Sequence, residues 1–336
     1  MKSKIVDNRN HIKRLSYNDT EKYLSELHGA PYIKYREEFE NARKNHIRTE
    51  KPLQITLQLS SFCNLNCIMC AWRSRKGAFN KEHMSLEMVD DIAKQIKDMK
   101  LPSIRIGAFT EPTVHPHFSE IMKKLADTRP VDFWLTTNGL LLNEEIAEML
   151  VDIELTLLHV SIDAATPETY KTIRGGNLEI VEKNIMKLLE IRKAKNSVLP
   201  FLRVTFIESE ENKHEVEMFK KKWENYADIV DLQKYIDLSS LKKDSTGSPK
   251  VKKEAESNHD GEEFECNHPY FQLVIMYDGQ ILPCSFFMYE TLNPVYMSDY
   301  SLLDYWNSPE LLGFFETIKT KQYIDCCKRC VASVES

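Results

Sequence analysis

Between about residues 53 and 236 the chain alternates short strand-like runs with amphipathic helical ones, and this alternation constrains the fold more than any other feature. LQITLQL is followed by LEMVDDIAKQIKDM, SIRIGAF by FSEIMKKLA, and VDFWLTT by NEEIAEMLV. LTLLHVSI then precedes LEIVEKNIMKLLEIRK, FLRVTFI precedes KHEVEMFKKKWENY, and DIVDLQKYI closes the series. Six strands joined through helices predict a parallel sheet, because parallel neighbours cannot be linked by a tight hairpin. An open doubly wound sheet and a barrel both satisfy that requirement. Polar motifs follow the ends of four successive strands: cysteines after the first, TEP at 110–112, TNG at 137–139, and Ser161 with Asp163 at the fourth. Groups spread over many neighbouring strand ends mark a barrel, whereas a doubly wound sheet gathers them in one crevice. The expected fold is α/β, a partial (β/α)6 TIM-like barrel.

The flanks read differently. Residues 1–50 read as a polar helical N-terminal preface, with YLSELHG and YIKYREEFENARKNH carrying apolar groups at helical spacing. The barrel is expected over 51–241, and the polar, aperiodic run 242–263 reads as a linker or surface loop. In 264–336, two apolar runs flank Asp278-Gly279, a two-residue hairpin signal, so a small hairpin-containing domain follows.

The chain has 336 residues, 42% of them hydrophobic and 29% charged, enough for one large domain and a smaller one. Its net charge of -6 gives no electrostatic reason to expect nucleic acid or an anionic membrane as partner. MKSKIVDNRNHIKRL lacks the apolar run of a secretory signal, and no stretch reaches membrane-spanning length, so a cytoplasmic location is the default. In that compartment eight cysteines are metal ligands or catalytic groups rather than disulfides.

The cysteines fall in two sets. CNLNCIMC places Cys63, Cys67 and Cys70 at C-x3-C-x2-C directly after the first strand. A cubane iron–sulfur cluster held by three thiolates keeps one iron open to an outside ligand. A closed zinc site, the alternative, wants a fourth ligand. The second set is Cys266, Cys284, Cys326, Cys327 and Cys330. It ends in C-x2-C, which also suits zinc.

With these residues in view, the chain resembles the radical S-adenosylmethionine (SAM) superfamily from about residue 50 to 330. The resemblance implies that Cys63, Cys67 and Cys70 hold a [4Fe-4S] cluster whose open iron chelates SAM. It implies reductive cleavage to a 5′-deoxyadenosyl radical that takes hydrogen from substrate, with an electron donor such as flavodoxin or ferredoxin. GAFTEP (107–112) is similar to the family's GGEP segment, with Thr110 where glycine is usual, so Thr110 and Glu111 are candidate SAM contacts. SIDAATPETYKTIRGG is similar to the fourth-strand segment. There Ser161 and Asp163 would approach the ribose or methionyl end, and Arg174 the carboxylate. Asn138 of TNG is a further cofactor-side candidate. Met69 stands where an aromatic residue commonly packs on adenine, and Trp72 follows it.

Cys266, Gly279 and Cys284 fit the opening C-x9-15-G-x4-C of the superfamily's SPASM and shorter twitch domains. With only one closing cysteine group, DCCKRC, the resemblance implies a twitch-type domain. It implies one auxiliary [4Fe-4S] cluster on Cys266, Cys284, Cys327 and Cys330, with Cys326 serving nearly as well as Cys327. A spare Cys326 is a candidate hydrogen donor. The expected substrate is carbohydrate-derived (a sugar, amino sugar or cyclitol) and the outcome dehydrogenation or epimerisation. A peptide substrate is the alternative within the superfamily, and a zinc-stabilised binding module or electron carrier the alternative outside it. His115, His117, Tyr235 and Asp237 are further residues able to face the cavity.

Overall fold

A computed structural model describes residues 4–9, 12–16, 18–70, 72, 81–107, 109–235, 266–285, 294–328 and 330. The chain opens with strands β1 (Lys4–Arg9) and β2 (Ile12–Ser16) and helices α1 (Thr20–His28) and α2 (Ala30–Asn45). The six alternating units follow as β3 (Gln54–Leu57), α3 (Leu86–Met99), β4 (Ser103–Ile106), α4 (Phe118–Ala126), β5 (Asp132–Thr137), α5 (Glu144–Asp152) and β6 (Leu157–Ser161). They continue through α6 (Pro167–Arg174), α7 (Leu178–Ala194), β7 (Phe201–Glu208), α8 (Val216–Trp223) and β8 (Ile229–Lys234). The C-terminal part holds β9 (Gln272–Ile275), β10 (Gln280–Leu282), β11 (Val295–Tyr296), α9 (Leu302–Trp306) and α10 (Pro309–Lys319).

Strands β3 to β8 pair in parallel and in sequence order, as the alternation requires. The connecting helices start on local caps. Ser85, Asn143, Thr166 and Asn177 each accept a backbone N–H from the first turn of α3, α5, α6 and α7. Side chains within each strand alternate between two faces. Ile55, Leu57, Ile104, Ile106, Leu135, Leu158, Val160, Leu202 and Val204 are fully buried and join the apolar stripes of the helices in one core. The opposite face is polar yet also buried, with Gln54, Thr56, His159, Arg203, Thr205 and Asp231. A sheet can bury polar side chains along one whole face only if that face is itself enclosed, and here it lines the hollow of the curved sheet.

Both edges of the six-stranded unit are covered. Strand β2 runs antiparallel to β8, pairing Arg14 with Asp231 and Leu15 with Val230. Residues 4–9 and 12–16 thus pair as antiparallel strands where a helical preface was expected from the sequence; the helices begin only at Thr20. KIVDNR and IKRLS are too charged to read as strands, but their backbone ladder satisfies an otherwise open sheet edge, and charged residues are typical of edge strands. At the other side β9 pairs in parallel with β3, and Gln54 donates a side-chain hydrogen bond to Gln272 across the ladder at 3.0 Å. The C-terminal segment therefore begins as part of the barrel sheet. Its expected hairpin forms as β9–β10, turning at Gly279 with φ 85°. The run expected to be a linker, 242–263, lies outside the described residues, as does Asp237.

Helices α1 and α2 lie across the N-terminal ends of the parallel strands. Tyr35 donates to Asp132 at 2.7 Å, Tyr23 packs edge-on to Phe201 at 5.5 Å, and Phe39 meets Phe271 at 4.7 Å. They floor the hollow, which leaves its working end where the sequence motifs stand. Among the described residues no helix is long and apolar enough to cross a membrane.

Candidate active site

The cysteine loop leaves β3 and returns beside it. Ser61 donates its backbone N–H to the Glu82 carbonyl at 2.9 Å, and Glu82 returns its N–H to the Ser61 hydroxyl at 3.0 Å. The loop docks on α6 through Ile68 N–H to the Ile173 carbonyl at 2.9 Å, and turns tightly where Cys70 N–H meets the Cys67 carbonyl at 3.2 Å. All three thiols are half-buried. Asn138 Nδ2 lies 3.9 Å from Cys63 Sγ, and Arg174 Nη1 lies 3.8 Å from Cys67 Sγ. Burial pushes the Cys63 thiol up to about 12, helped by the Glu111 charge and by the other two sulfurs. Burial also raises Cys67, against the pull of Arg174.

Among the described residues no three His, Cys, Asp or Glu side chains are drawn together tightly enough to hold a metal ion directly. A cubane cluster takes one thiolate per iron, so its ligands stand apart and need not converge on one atom. Three half-buried soft thiols within electrostatic reach, two with N–H donors aimed at sulfur, suit such a cluster in donor type and surroundings.

The neighbouring strand ends are tied to this loop. Thr110 donates to the Ser60 carbonyl at 2.8 Å. Glu111 is buried and turned inward: one oxygen accepts from Thr113 N–H at 3.1 Å, Thr113 Oγ1 at 2.6 Å and Thr137 Oγ1 at 2.7 Å, and the other from Asn138 N–H at 2.6 Å. Burial raises its proton affinity while these donors oppose that. With both oxygens occupied, Glu111 braces the TEP loop to the TNG loop. The Asn138 amide in turn bonds Asn64 at 2.7 Å, beside Cys63. Gly107 has φ +88°, and a Cβ there would sit 2.5 Å from the Thr136 carbonyl oxygen, so only glycine lets β4 enter this loop so close to β5.

At the fourth strand Ser161 is half-buried beside Thr205, while Asp163 is fully buried in a left-handed conformation, φ 61°. Its carboxylate pairs with Arg174 and accepts Ile207 N–H at 2.8 Å. Arg174 therefore bridges Asp163 and Cys67, and its Nε is shielded without a partner among the described residues. Met69 is half-buried in the loop. Trp72 is buried, donates to the Ser61 carbonyl at 2.8 Å, and stacks on Phe109 at 5.5 Å with 9° between the rings. Its apolar surroundings are Val274, Met276 and Leu282, so it joins the cysteine loop to the C-terminal hairpin.

The second cysteine set also gathers. Cys284 and Cys326 are buried, Cys266, Cys327 and Cys330 half-buried. Cys326 and Cys327 sulfurs lie 4.0 Å apart. The hydrogen bond with Cys326, then burial, raises the Cys327 thiol, and the charges of Cys284 and Cys266 add to it. Burial pushes Cys330 up to about 12, with Cys266 and Cys326 contributing. The set holds five thiols, one more than a closed cluster takes. Cys326 belongs to this group.

That hollow holds a cavity of about 950 Å³ near the floor, and here the structure adds residues that sequence reading missed. Arg14, Arg105, Trp134, His159 and Arg203 line it, with Tyr35 and Asp132 below. Each of Arg105, His159, Arg203 and Asp231 interrupts an apolar run at every-second-residue spacing, and that alternation was the available signal. Asp231 takes Arg14 at 2.7 Å and also Arg203. His159 hydrogen-bonds Thr205, and burial beside the arginines holds its pKa well below the usual value, so it is neutral. His115, by contrast, is a structural residue, bonding the Met84 carbonyl at 2.9 Å through Nε2 and His117 N–H at 3.0 Å through Nδ1.

Comparison with known proteins accords with this geometry. A model of the radical SAM superfamily matches residues 57–220, and the chain belongs to that superfamily. A model of the SPASM iron–sulfur cluster-binding domain matches residues 266–331, which makes it a member with a C-terminal cluster-binding domain. Its cofactors are SAM, the [4Fe-4S] cluster that binds it and an auxiliary [4Fe-4S] cluster. The probable GTP 3′,8-cyclase of Methanococcus maripaludis is 37% identical over 139 residues, 40% of this chain and 45% of that protein. The chain thus matches less than half the length of that curated relative. The tungsten-containing aldehyde ferredoxin oxidoreductase cofactor-modifying protein of Pyrococcus furiosus is 24% identical over 312 residues, 80% of this chain and 85% of that one. SuiB of Streptococcus suis, solved with SAM, superimposes with a TM-score of 0.61 at 17% identity, over 84% of this chain and 71% of that chain. This last likeness is one of fold.

Proposed function

We propose that this radical SAM enzyme abstracts hydrogen from a small polar substrate of carbohydrate type, a sugar, amino sugar or cyclitol, seated in the hollow of the barrel. The carrying observation is the lining of that hollow: Gln54, Arg105, His159 and Arg203 are hydrogen-bonding groups on a face that an apolar substrate would leave unsatisfied. Cys63, Cys67 and Cys70 would hold the cluster, which when bound would supply one-electron reduction of SAM and so the hydrogen-abstracting chemistry.

The chain's own residues prepare that step. Asn138 and Arg174 aim N–H groups at the sulfurs of Cys63 and Cys67, which favours their anionic form. Glu111 fixes the TEP and TNG loops against each other, and so fixes the backbone expected to meet SAM. Thr110, Ser161, Met69 and Trp72 complete the proposed cofactor surroundings. Cys266, Cys284, Cys327 and Cys330 would hold the auxiliary cluster, a nearby acceptor for an electron from an oxidised substrate. A small reduced protein of flavodoxin or ferredoxin type would deliver the priming electron, in a cytoplasmic setting.

Oxygen-free enzyme reconstituted with iron and sulfide, reduced and given SAM, is expected to form 5′-deoxyadenosine faster with sugars, amino sugars or cyclitols than without. Deuterium from solvent at one carbon marks epimerisation, and a new carbonyl marks dehydrogenation. The peptide reading has one observation in its favour: SuiB, of like fold, has been solved with its precursor peptide SuiA. Stimulation by peptides and by no carbohydrate would replace the first reading with that one.

A further inference from the structure

The charges lining the floor cavity do not balance in pairs. Glu21 faces Arg36 at 3.3 Å, and Glu40 takes Arg43 at 3.1 Å. Asp231 is shared by Arg14 and Arg203. Asp132 accepts from Tyr35 at 2.7 Å and from Trp134. Asp19 caps α1 through Lys22 N–H. With the acids so engaged, Arg105 is left with neither a hydrogen-bond nor an ion-pair partner among the described residues. Its Nε is fully shielded, and so are Arg203 Nε and, higher in the same hollow, Thr136 Oγ1, all likewise unpartnered.

Arg105 as a whole is half-buried, and withdrawing a guanidinium from water without a counterion is costly unless another group completes it. Burial works against the charge on Arg105, and no neighbouring carboxylate supports it. The strand register places Arg105 beside Thr56 and Trp134, and Arg203 beside His159, so both guanidinia belong to the inner face. Neutral His159 adds a hydrogen-bonding group without changing the charge.

We infer that Arg105, assisted by Arg203, forms an oxyanion subsite in the lower barrel that takes the phosphate ester or carboxylate of a small-molecule substrate. The fork of a guanidinium matches both groups, and a cavity of about 950 Å³ has room for the molecule that carries them. Arg105 lies two residues before Gly107, about 7 Å along the strand from the loop expected to meet SAM. A molecule anchored there by its anionic end presents its carbon skeleton upward, toward the cofactor. The inference rests on the hollow being the substrate chamber.

The test is calorimetric titration of the reconstituted holoenzyme with inorganic pyrophosphate in one arm and succinate in the other, repeated with Arg105→Met and Arg105→Lys. The expected result is saturable binding in at least one arm, weakened at least tenfold by Arg105→Met and less by Arg105→Lys. The melting temperature of Arg105→Met without ligand should equal or exceed that of the wild type, since an unpaired, half-buried charge is removed. The anion-induced rise in melting temperature should vanish in that variant. Preference for pyrophosphate assigns a phosphate ester, and preference for succinate a carboxylate. No saturable binding in either arm, or equal binding by Arg105→Met, overturns the subsite. If anions bind through Arg105 but no carbohydrate stimulates SAM cleavage, the carbohydrate reading fails and the subsite stands. Turnover of neutral sugars with no anion binding gives the reverse.

Discussion

Arg174 lies 3.8 Å from the sulfur of Cys67 through one terminal nitrogen and pairs with Asp163 through the other. The guanidinium thereby links the end of the fourth barrel strand to the cysteine loop on the first. Asp163 is itself held in a left-handed turn by Ile207 N–H and, through its carbonyl, by Asn212 at 2.8 Å. A positive charge fixed beside a ligand sulfur favours electron uptake by a cluster there, because net charge and hydrogen bonds to sulfur set its potential.

Arg174→Met should therefore lower the reduction potential of the SAM-binding cluster and destabilise the fold by about 3–5 kcal/mol, since Asp163 stays buried without its ion-pair partner. Arg174→Lys should recover part of both losses, having the charge without the fork. Redox titration followed by electron paramagnetic resonance reads the first effect, and thermal melting the second. An unchanged potential in Arg174→Met would remove Arg174 from the cluster's electrostatics.

The second cysteine set offers five thiols for one site, with Cys326 and Cys327 4.0 Å apart. Cys327→Ala should reduce iron from about eight to about four per chain, while Cys326→Ala should keep both clusters. If Cys326 returns hydrogen to a substrate radical, Cys326→Ala will still form 5′-deoxyadenosine but no epimerised product. Iron analysis and product analysis separate the two roles. Loss of iron in Cys326→Ala with full iron in Cys327→Ala would exchange the assignments.

The six-unit barrel was legible because its helices carry long apolar stripes and its strands have bulky outer faces, both set by local periodicity. Cys63, Cys67 and Cys70 were legible because their spacing is short. The antiparallel strands β1 and β2 were not, since KIVDNR is held by backbone pairing to IKRLS and IKRLS by backbone pairing to β8, and a backbone ladder leaves no periodic apolar pattern to read. Glu111 and Asp163 stood out as polar groups at strand ends, but that both turn inward depends on partners 26 and 11 residues away, Thr137 and Arg174. The arginines of the hollow escaped notice because each looks like an isolated charge in an apolar run until neighbouring strands bring them together.

Gly107 carries two constraints at once, a positive φ and a Cβ position 2.5 Å from the Thr136 carbonyl oxygen. Gly107→Ala should cost about 1–3 kcal/mol of stability from backbone strain, with the contact adding to it. The strand must shift away from β5, which moves the TEP loop, so SAM affinity should fall as well. Equilibrium dialysis with SAM on the reconstituted variant, beside its melting curve, checks both. Wild-type affinity would mean the loop's position is not felt by the cofactor.

Asp231 gives the expected pH dependence. Burial pushes its carboxyl up, but the Arg203 charge and the Arg14 hydrogen bond outweigh burial and hold it below the usual carboxylate value. Glu215 is also held low: its burial is outweighed by donors from Thr166 at 2.5 Å, Thr169 at 2.6 Å and Ala165 N–H at 2.6 Å, which fix the start of α6. A carboxylate whose folded pKa is depressed binds protons less readily in the native state than in the unfolded chain. Its stabilisation is complete above the unfolded value of about 4 and is lost as pH falls through the lower, folded value. Denaturant unfolding of the wild type should show stability declining as pH drops below about 4. Asp231→Asn should be less stable at neutral pH, because Arg14 and Arg203 lose their shared counterion, and its decline in acid should be shallower. The two stability curves should therefore converge toward low pH; curves that run parallel would show that the ion pairs of Asp231 contribute nothing to the acid sensitivity of the fold.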